Sequence, residues 1–203
     1  QVKKQTLISY NTQYNTKKSV WISPYDPVAQ TFIIDPTNYP NGAFLASARF
    51  FFKTKPTNSY DNTPITLSIV GTLNGYPTGS TIDHSIVTLY PNQVNVSQSP
   101  QYLDSTASTT FEFNAPVYLQ AGVLYSFILH SKSDEYNLWT ALNGDTALLS
   151  SCKNLPSDPN PAVASKIAGA PYIGGLFLSQ NSQTWSVNQN QALMFVADRC
   201  VFT

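Results

Sequence analysis

The residues on which chemistry could turn are few: two histidines, His84 and His130, two glutamates, Glu112 and Glu135, and two cysteines, Cys152 and Cys200. A serine hydrolase needs a nucleophile, a base and an orienting acid brought together. The many serines here include no nucleophile-elbow motif. His84 follows Asp83 in a turn-like stretch, and His130 ends a strongly apolar strand pattern, where a ring satisfied at a strand end is the simplest account. A glycosidase needs two carboxyl groups across a cleft. Glu112 sits between Phe111 and Phe113 and alternates outward from a strand, while Asp134-Glu135 occupies a turn where solvated acids are expected. Neither has the apolar setting that raises a catalytic carboxyl. Zinc needs several ligands at close spacing, and none are so arranged. Calcium takes six to eight oxygens. The candidate loops, Asp61-Asn62, Asn143-Gly144-Asp145 and residues 158–160, lack a dense acidic run and read as Asx turns. The sequence therefore predicts no catalytic residue, no metal site and no cofactor: the chain is not expected to be an enzyme.

Aromatic side chains offer a different chemistry. Tyr136, Trp139 and Trp185 could form a sugar-stacking platform beside Asn, Gln or Asp, or could anchor an interface. The same residue types also dominate sandwich cores.

These side chains must be positioned by strands. No segment keeps a helical period. Short β-branched or aromatic runs are bounded by Pro, Gly, Asn and Asp, which is the strand signal. Strands are predicted at residues 29–34, 44–54, 65–71, 85–90, near 109–113, 123–131, 136–142, 172–178 and 192–202. Asp35-Pro36, Tyr39-Pro40-Asn41-Gly42 and Asn74-Gly75 mark turns. The strand at 123–131 is expected to bury Val123, Tyr125, Phe127 and Leu129, and residues 136–142 to pair with it across a turn at 131–135. The expected core comprises Phe32, Phe50, Phe52, Leu67, Ile69, Tyr125, Phe127, Leu129 and Phe195, each in an alternating stretch. Residues 153–165 are proline-rich and read as a long loop, because proline cannot donate to a central ladder. Ten or so strands with no helix and no blade-length repeat predict an all-β, two-layer antiparallel β-sandwich, jelly-roll-like. Residues 1–25 read as an N-terminal linker or lead-in segment, and 26–203 as the sandwich domain.

Composition narrows the partners. The chain has 203 residues, of which 11% are charged and 13% aromatic, and its formal net charge is zero. An average soluble domain carries about 25% charged residues. No basic footprint for nucleic acid exists, and low net charge favours association. No apolar run approaches the ~20 residues that span a bilayer. The first residue is Gln1 and the only methionine is Met194, so the chain is expected to begin within a longer reading frame or after processing. Nothing at the N-terminus reads as a signal peptide, which favours thiols over a Cys152–Cys200 disulfide. A disulfide would need the two Cα atoms within about 7 Å, and spacing does not decide that.

Several motifs in order carry a resemblance. The chain runs Asp26-Pro27-Val28-Ala29-Gln30-Thr31-Phe32, Gly42-Ala43-Phe44-Leu45, then Phe51-Phe52-Lys53-Thr54-Lys55 and Asn74-Gly75-Tyr76-Pro77. It continues with Pro116-Val117-Tyr118-Leu119, Tyr136-Asn137-Leu138-Trp139, and Leu176-Phe177-Leu178-Ser179-Gln180-Asn181 before Thr184-Trp185. Over residues 26–202 this resembles a β-sandwich domain of T4-like bacteriophage virion proteins, notably baseplate wedge components. The resemblance implies a structural protein of the viral baseplate or tail, located in the virion, with other virion or baseplate proteins as partners and no catalytic residues to carry over. The proline-rich stretch at 153–165 departs from that pattern. The competing expectation is a carbohydrate-binding module that attaches the particle to a host surface glycan. The segments 1–21 and 154–165 are the expected contact regions.

Overall fold

The computed structural model describes residues 2–9, 13–14, 19–22, 26–58, 60–100, 105–142, 147–148, 173–180 and 184–202. In chain order the strands are β1 (Val2–Ser9), β2 (Gln13–Tyr14), β3 (Ser19–Trp21), β4 (Val28–Ile33), β5 (Ala43–Phe50), β6 (Phe52–Thr54), β7 (Ile65–Leu73), β8 (Tyr76–Thr81) and β9 (Val87–Leu89). They continue as β10 (Thr109–Leu119), β11 (Leu124–Ser131), β12 (Asn137–Leu142), β13 (Ala147–Leu148), β14 (Ile173–Gln180), β15 (Thr184–Asn188), β16 (Gln191–Leu193) and β17 (Phe195–Phe202). Among the described residues there is no α-helix, only a 3-10 turn at Pro91–Gln93.

Two antiparallel sheets carry the fold. The first has the order β1-β17-β5-β10; the second runs β15-β14-β4-β11-β7-β8, with β9 also on β7. The pairings are nested: β1 with β17, β4 with β11, β5 with β10, and β7 with β8 and β9. Such nesting is what a long antiparallel ribbon produces when it rolls into two layers, and it is the jelly-roll arrangement. The β14–β15 hairpin is added beside β4. A smaller sheet, β16-β12-β3 with β6 on β12, closes one end. There β6 and β16 continue the lines of β5 and β17, and β12 bridges them: Trp139 N donates to Phe51 O at 2.9 Å and Met194 N to Trp139 O at 3.0 Å.

Alternation explains the layers. Along β10, Thr109, Phe111, Phe113, Val117 and Leu119 are buried while Thr110, Glu112, Asn114, Pro116 and Tyr118 are exposed. All nine residues expected in the core belong to one buried cluster. Its centre is four phenylalanines, two from each sheet. Phe32 stacks on Phe127 at 4.2 Å. Phe50 and Phe195 from the facing sheet each meet Phe127 edge-on at 5.4 Å.

Several details differ from expectation. Val123 precedes β11 and is exposed, because the strand begins only after the Ala121-Gly122 turn. The segment after β11 makes no hairpin. Ser131 Oγ donates to Pro64 O and Ser133 Oγ to Asp61 Oδ2, tying that connection to the 61–64 loop. β12 therefore pairs with β3, β6 and β16 instead of β11. Residues 109–119 form one strand, β10, but its pairing with β5 shifts register between Glu112 and Val117; Pro116 lies in that irregularity on an edge strand, where the missing N–H costs no ladder bond. The residues after the Asn74-Gly75 turn, both at positive φ, return at once as β8, as a two-residue hairpin turn allows. The N-terminal segment is no linker throughout: β1 pairs along the length of β17, and β3 pairs with β12. The proline-rich stretch 153–165 and Cys152 lie outside the described residues. Cys200 is buried.

Candidate functional site

The three aromatic residues singled out from the sequence part company. Tyr136 is fully buried. Its hydroxyl donates to Thr63 O at 2.8 Å, and its ring meets Phe52 edge-on at 6.0 Å. Burial, with the charge of Asp61 adding to it, pushes this phenol well above its ordinary pKa. Trp139 is also buried, against Phe51, Ala107, Met194 and Val196. Its Nε1 donates to Ser97 O at 2.8 Å, and Lys53 Nζ lies 5.5 Å from the ring centre. Neither presents a face to a glycan. Both came from one run: Tyr136 immediately precedes β12, and Trp139 lies on β12, where Asn137 to Ala141 are buried on both faces. Trp185 alone remains half-exposed.

Trp185 lies on β15 opposite Ser179 of β14, on the outer face of the second sheet. Phe177 supports it edge-on at 6.5 Å and is itself met by Tyr76 at 5.5 Å. Three strands, β4, β11 and β7, separate β14 from β8 in the sheet order, so the Tyr76 contact requires the β7–β8 hairpin to lean across the outer face. That lean explains why Ala29, Val70 and Ser126, on the outward side of β4, β7 and β11, are buried. Between the leaning hairpin and Trp185 a depression of about 400 Å³ remains, lined by Pro27, Pro77, Thr78, Gly79, Ile128, His130 and Trp185. Among the described residues that line it, none is a carboxylate, lysine or arginine. Thr78 Oγ1 donates to Gly71 O at 2.9 Å, which fixes the hairpin. His130 is half-buried.

A second surface feature lies on the outer face of the first sheet, where Phe44, Tyr118 and Phe202 gather. Phe44 is 5.1 Å from Tyr118 and 5.4 Å from Phe202, ring centre to ring centre. Tyr118 and Phe202 are about half-exposed, at 48% and 60%. The Tyr118 hydroxyl donates to Asn41 O at 3.0 Å and holds its ring in place. Further along the same strands Arg49 makes a two-point contact with Asp198, Nε to Oδ2 at 3.0 Å and Nη2 to Oδ1 at 3.1 Å, and Ser47 Oγ donates to the same carboxylate. Part of the signal for this cluster was present in the sequence: Phe44 lies between buried Ala43 and Leu45, and Tyr118 between buried Val117 and Leu119.

The other residues named for chemistry stand apart. His84 is an exposed turn residue at φ 63°. Glu112 is exposed on β10. Glu135 accepts from Thr57 N at 3.2 Å through Oε2, a loop-bracing role. Among the described residues no three His, Cys, Asp or Glu side chains gather as a metal site would require. No helix there is long and apolar enough to cross a membrane.

Sequence reasoning missed Gln30. It is fully buried on the core side of β4. Its Nε2 faces the carbonyls of Thr31, Gly174 and Gly175, and its Oε1 accepts from Leu193 N at 2.8 Å. One amide thus joins β4 to the irregular start of β14 and to β16. A search of protein families finds no match to this sequence, and a search of curated proteins finds none either.

Proposed function

We propose that this chain is a structural module of a tailed-phage baseplate or tail, held in the virion by contact with neighbouring virion or baseplate proteins and performing no catalysis. The observation that carries this reading is the Phe44, Tyr118 and Phe202 cluster on the outer face of the first sheet. Aromatic residues are enriched, and Lys, Glu and Asp depleted, in the centres of interfaces. Contiguous rings held in a fixed arrangement lose little freedom when a partner covers them. The weakly charged surface and the motif resemblance to baseplate wedge domains point the same way. A stable contact should cover about 1,000 Å² in total or more, so the aromatic cluster would be its centre and the edge strand β1 part of its rim.

The test is a triple variant, Phe44→Ser, Tyr118→Ser and Phe202→Ser, introduced into the phage that encodes the chain. Isolated, the variant should keep the wild-type strand spectrum and melting behaviour. In purified particles it should be missing from the baseplate, scored by mass spectrometry and electron microscopy. Wild-type occupancy of the variant in particles would refute the assembly face.

A further inference from the structure

We infer that the depression between Trp185 and the β7–β8 hairpin is a binding site for a neutral saccharide chain. Four features carry the inference. First, the site joins a half-exposed indole to ring nitrogens: among the described residues neither His130 nor the Trp185 N–H has a hydrogen-bond partner. A half-buried imidazole and an indole lining one depression, with no partner among the described residues, are equipped to meet hydroxyls, and each imidazole nitrogen can donate or accept according to its tautomer. Second, among the described residues the lining contains no carboxylate, lysine or arginine, so none of them complements an anionic sugar. Third, the volume of about 400 Å³ lies in the range of roughly 300–1,000 Å³ typical of small-ligand sites. Its position on an outer sheet face admits a chain that runs past the site. Fourth, the walls are fixed before any ligand arrives: Phe177 and Tyr76 brace Trp185, and Thr78 is bonded to Gly71. A preformed site avoids the ordering cost that weakens binding to mobile loops.

Apolar C–H faces of a pyranose would lie against Trp185 and Ile128, and its hydroxyls would meet His130. The site occupies the outer face of the second sheet, opposite the aromatic cluster on the first. A module docked through that cluster would still present the groove outward. The inference does not depend on the assembly reading, because the site belongs to the isolated chain.

Gly79 supplies a clean perturbation. It lines the groove, and a Cβ built there meets nothing within 4 Å. Gly79→Phe should therefore fill the groove without disturbing the fold. The experiment is a glycan array carrying neutral and anionic microbial polysaccharides, probed with the full chain, with Gly79→Phe, with Trp185→Ala and with His130→Gln, each checked for an unchanged melting temperature. Wild-type chain is expected to retain one or more neutral glycans. Gly79→Phe and Trp185→Ala should weaken them at least about tenfold, and His130→Gln should weaken them less. Retention of anionic glycans alone would overturn the inference. So would no retention of any glycan, or equal retention by wild type and Gly79→Phe.

Discussion

Replacing Phe127 by Ala tests the centre of the sandwich. Phe127 is fully buried on β11, and its ring touches Phe32 of its own sheet and Phe50 and Phe195 of the other. Truncation removes the transfer free energy of the ring and leaves a cavity that both sheets must border. Phe-to-Ala changes in cores cost about 3–5 kcal/mol. The neighbours here are rings on separate sheets, tied to their strands by ladder bonds, so collapse around the gap is restricted and the upper half of that range is expected. Domains are stable by only about 5–15 kcal/mol in total, so the variant should unfold at much lower denaturant. Urea titration followed by tryptophan fluorescence and far-UV dichroism measures this directly. A double-mutant cycle with Phe195→Ala should return a coupling of about 0.5–1.5 kcal/mol beyond area burial, as aromatic pairs do. Val123→Ala is the control: it belongs to the same alternating run yet is exposed, and should shift stability by less than about 0.5 kcal/mol. A Phe127→Ala loss below about 1 kcal/mol at unchanged denaturant slope would refute the assignment of the inter-sheet quartet as the stabilising centre.

Gln30→Leu keeps volume but strips the acceptor from Leu193 N, a buried donor; an orphaned donor costs roughly 1–3 kcal/mol, measured by the same titration, and protection of the Leu193 amide from hydrogen exchange should fall. Gly42 sits at φ 78° with a Cβ position overlapping the Leu119 carbonyl and the Tyr118 ring. Gly42→Ala should therefore lose roughly 1–3 kcal/mol from backbone strain alone, whereas Gly79→Ala should be neutral in thermal melts. The Asp61 carboxyl is held below its ordinary value of 3.8 by hydrogen bonds from the Thr63 side chain, then the Thr63 backbone N–H, then Ser133. A depressed folded-state pKa contributes stability above the unfolded value that disappears as pH falls through the folded one. Wild-type stability should accordingly fall more steeply below about pH 4 than that of Asp61→Asn, and parallel acid titrations would contradict the assignment.

The layer architecture was written in the chain because it rests on local rules. Alternation at Ile65, Leu67 and Ile69 or at Tyr125, Phe127 and Leu129 selects the buried face of a strand whatever its partners are. Turn chemistry at Asn74-Gly75 and proline placement at Pro116 obey constraints that act within a few residues. Strand partnership is another matter. Nothing within residues 131–136 announces that the chain leaves β11 to cross to β3, β6 and β16; the hydrogen bonds that enforce it reach the 61–64 loop. The pairing of β1 with β17 likewise joins the two ends of the chain and is invisible to any local pattern. The fates of the aromatics follow from the same division. Trp139 lies on β12, whose residues are buried on both faces, and Tyr136 immediately precedes it, whereas Trp185 lies on an added hairpin with one face open, and composition cannot tell such positions apart. Gln30 reads as polar and ordinary in sequence. Only the fold brings Gly174, Gly175 and Leu193 to its amide, and hydrogen-bond satisfaction in a dry core is decided by tertiary neighbours.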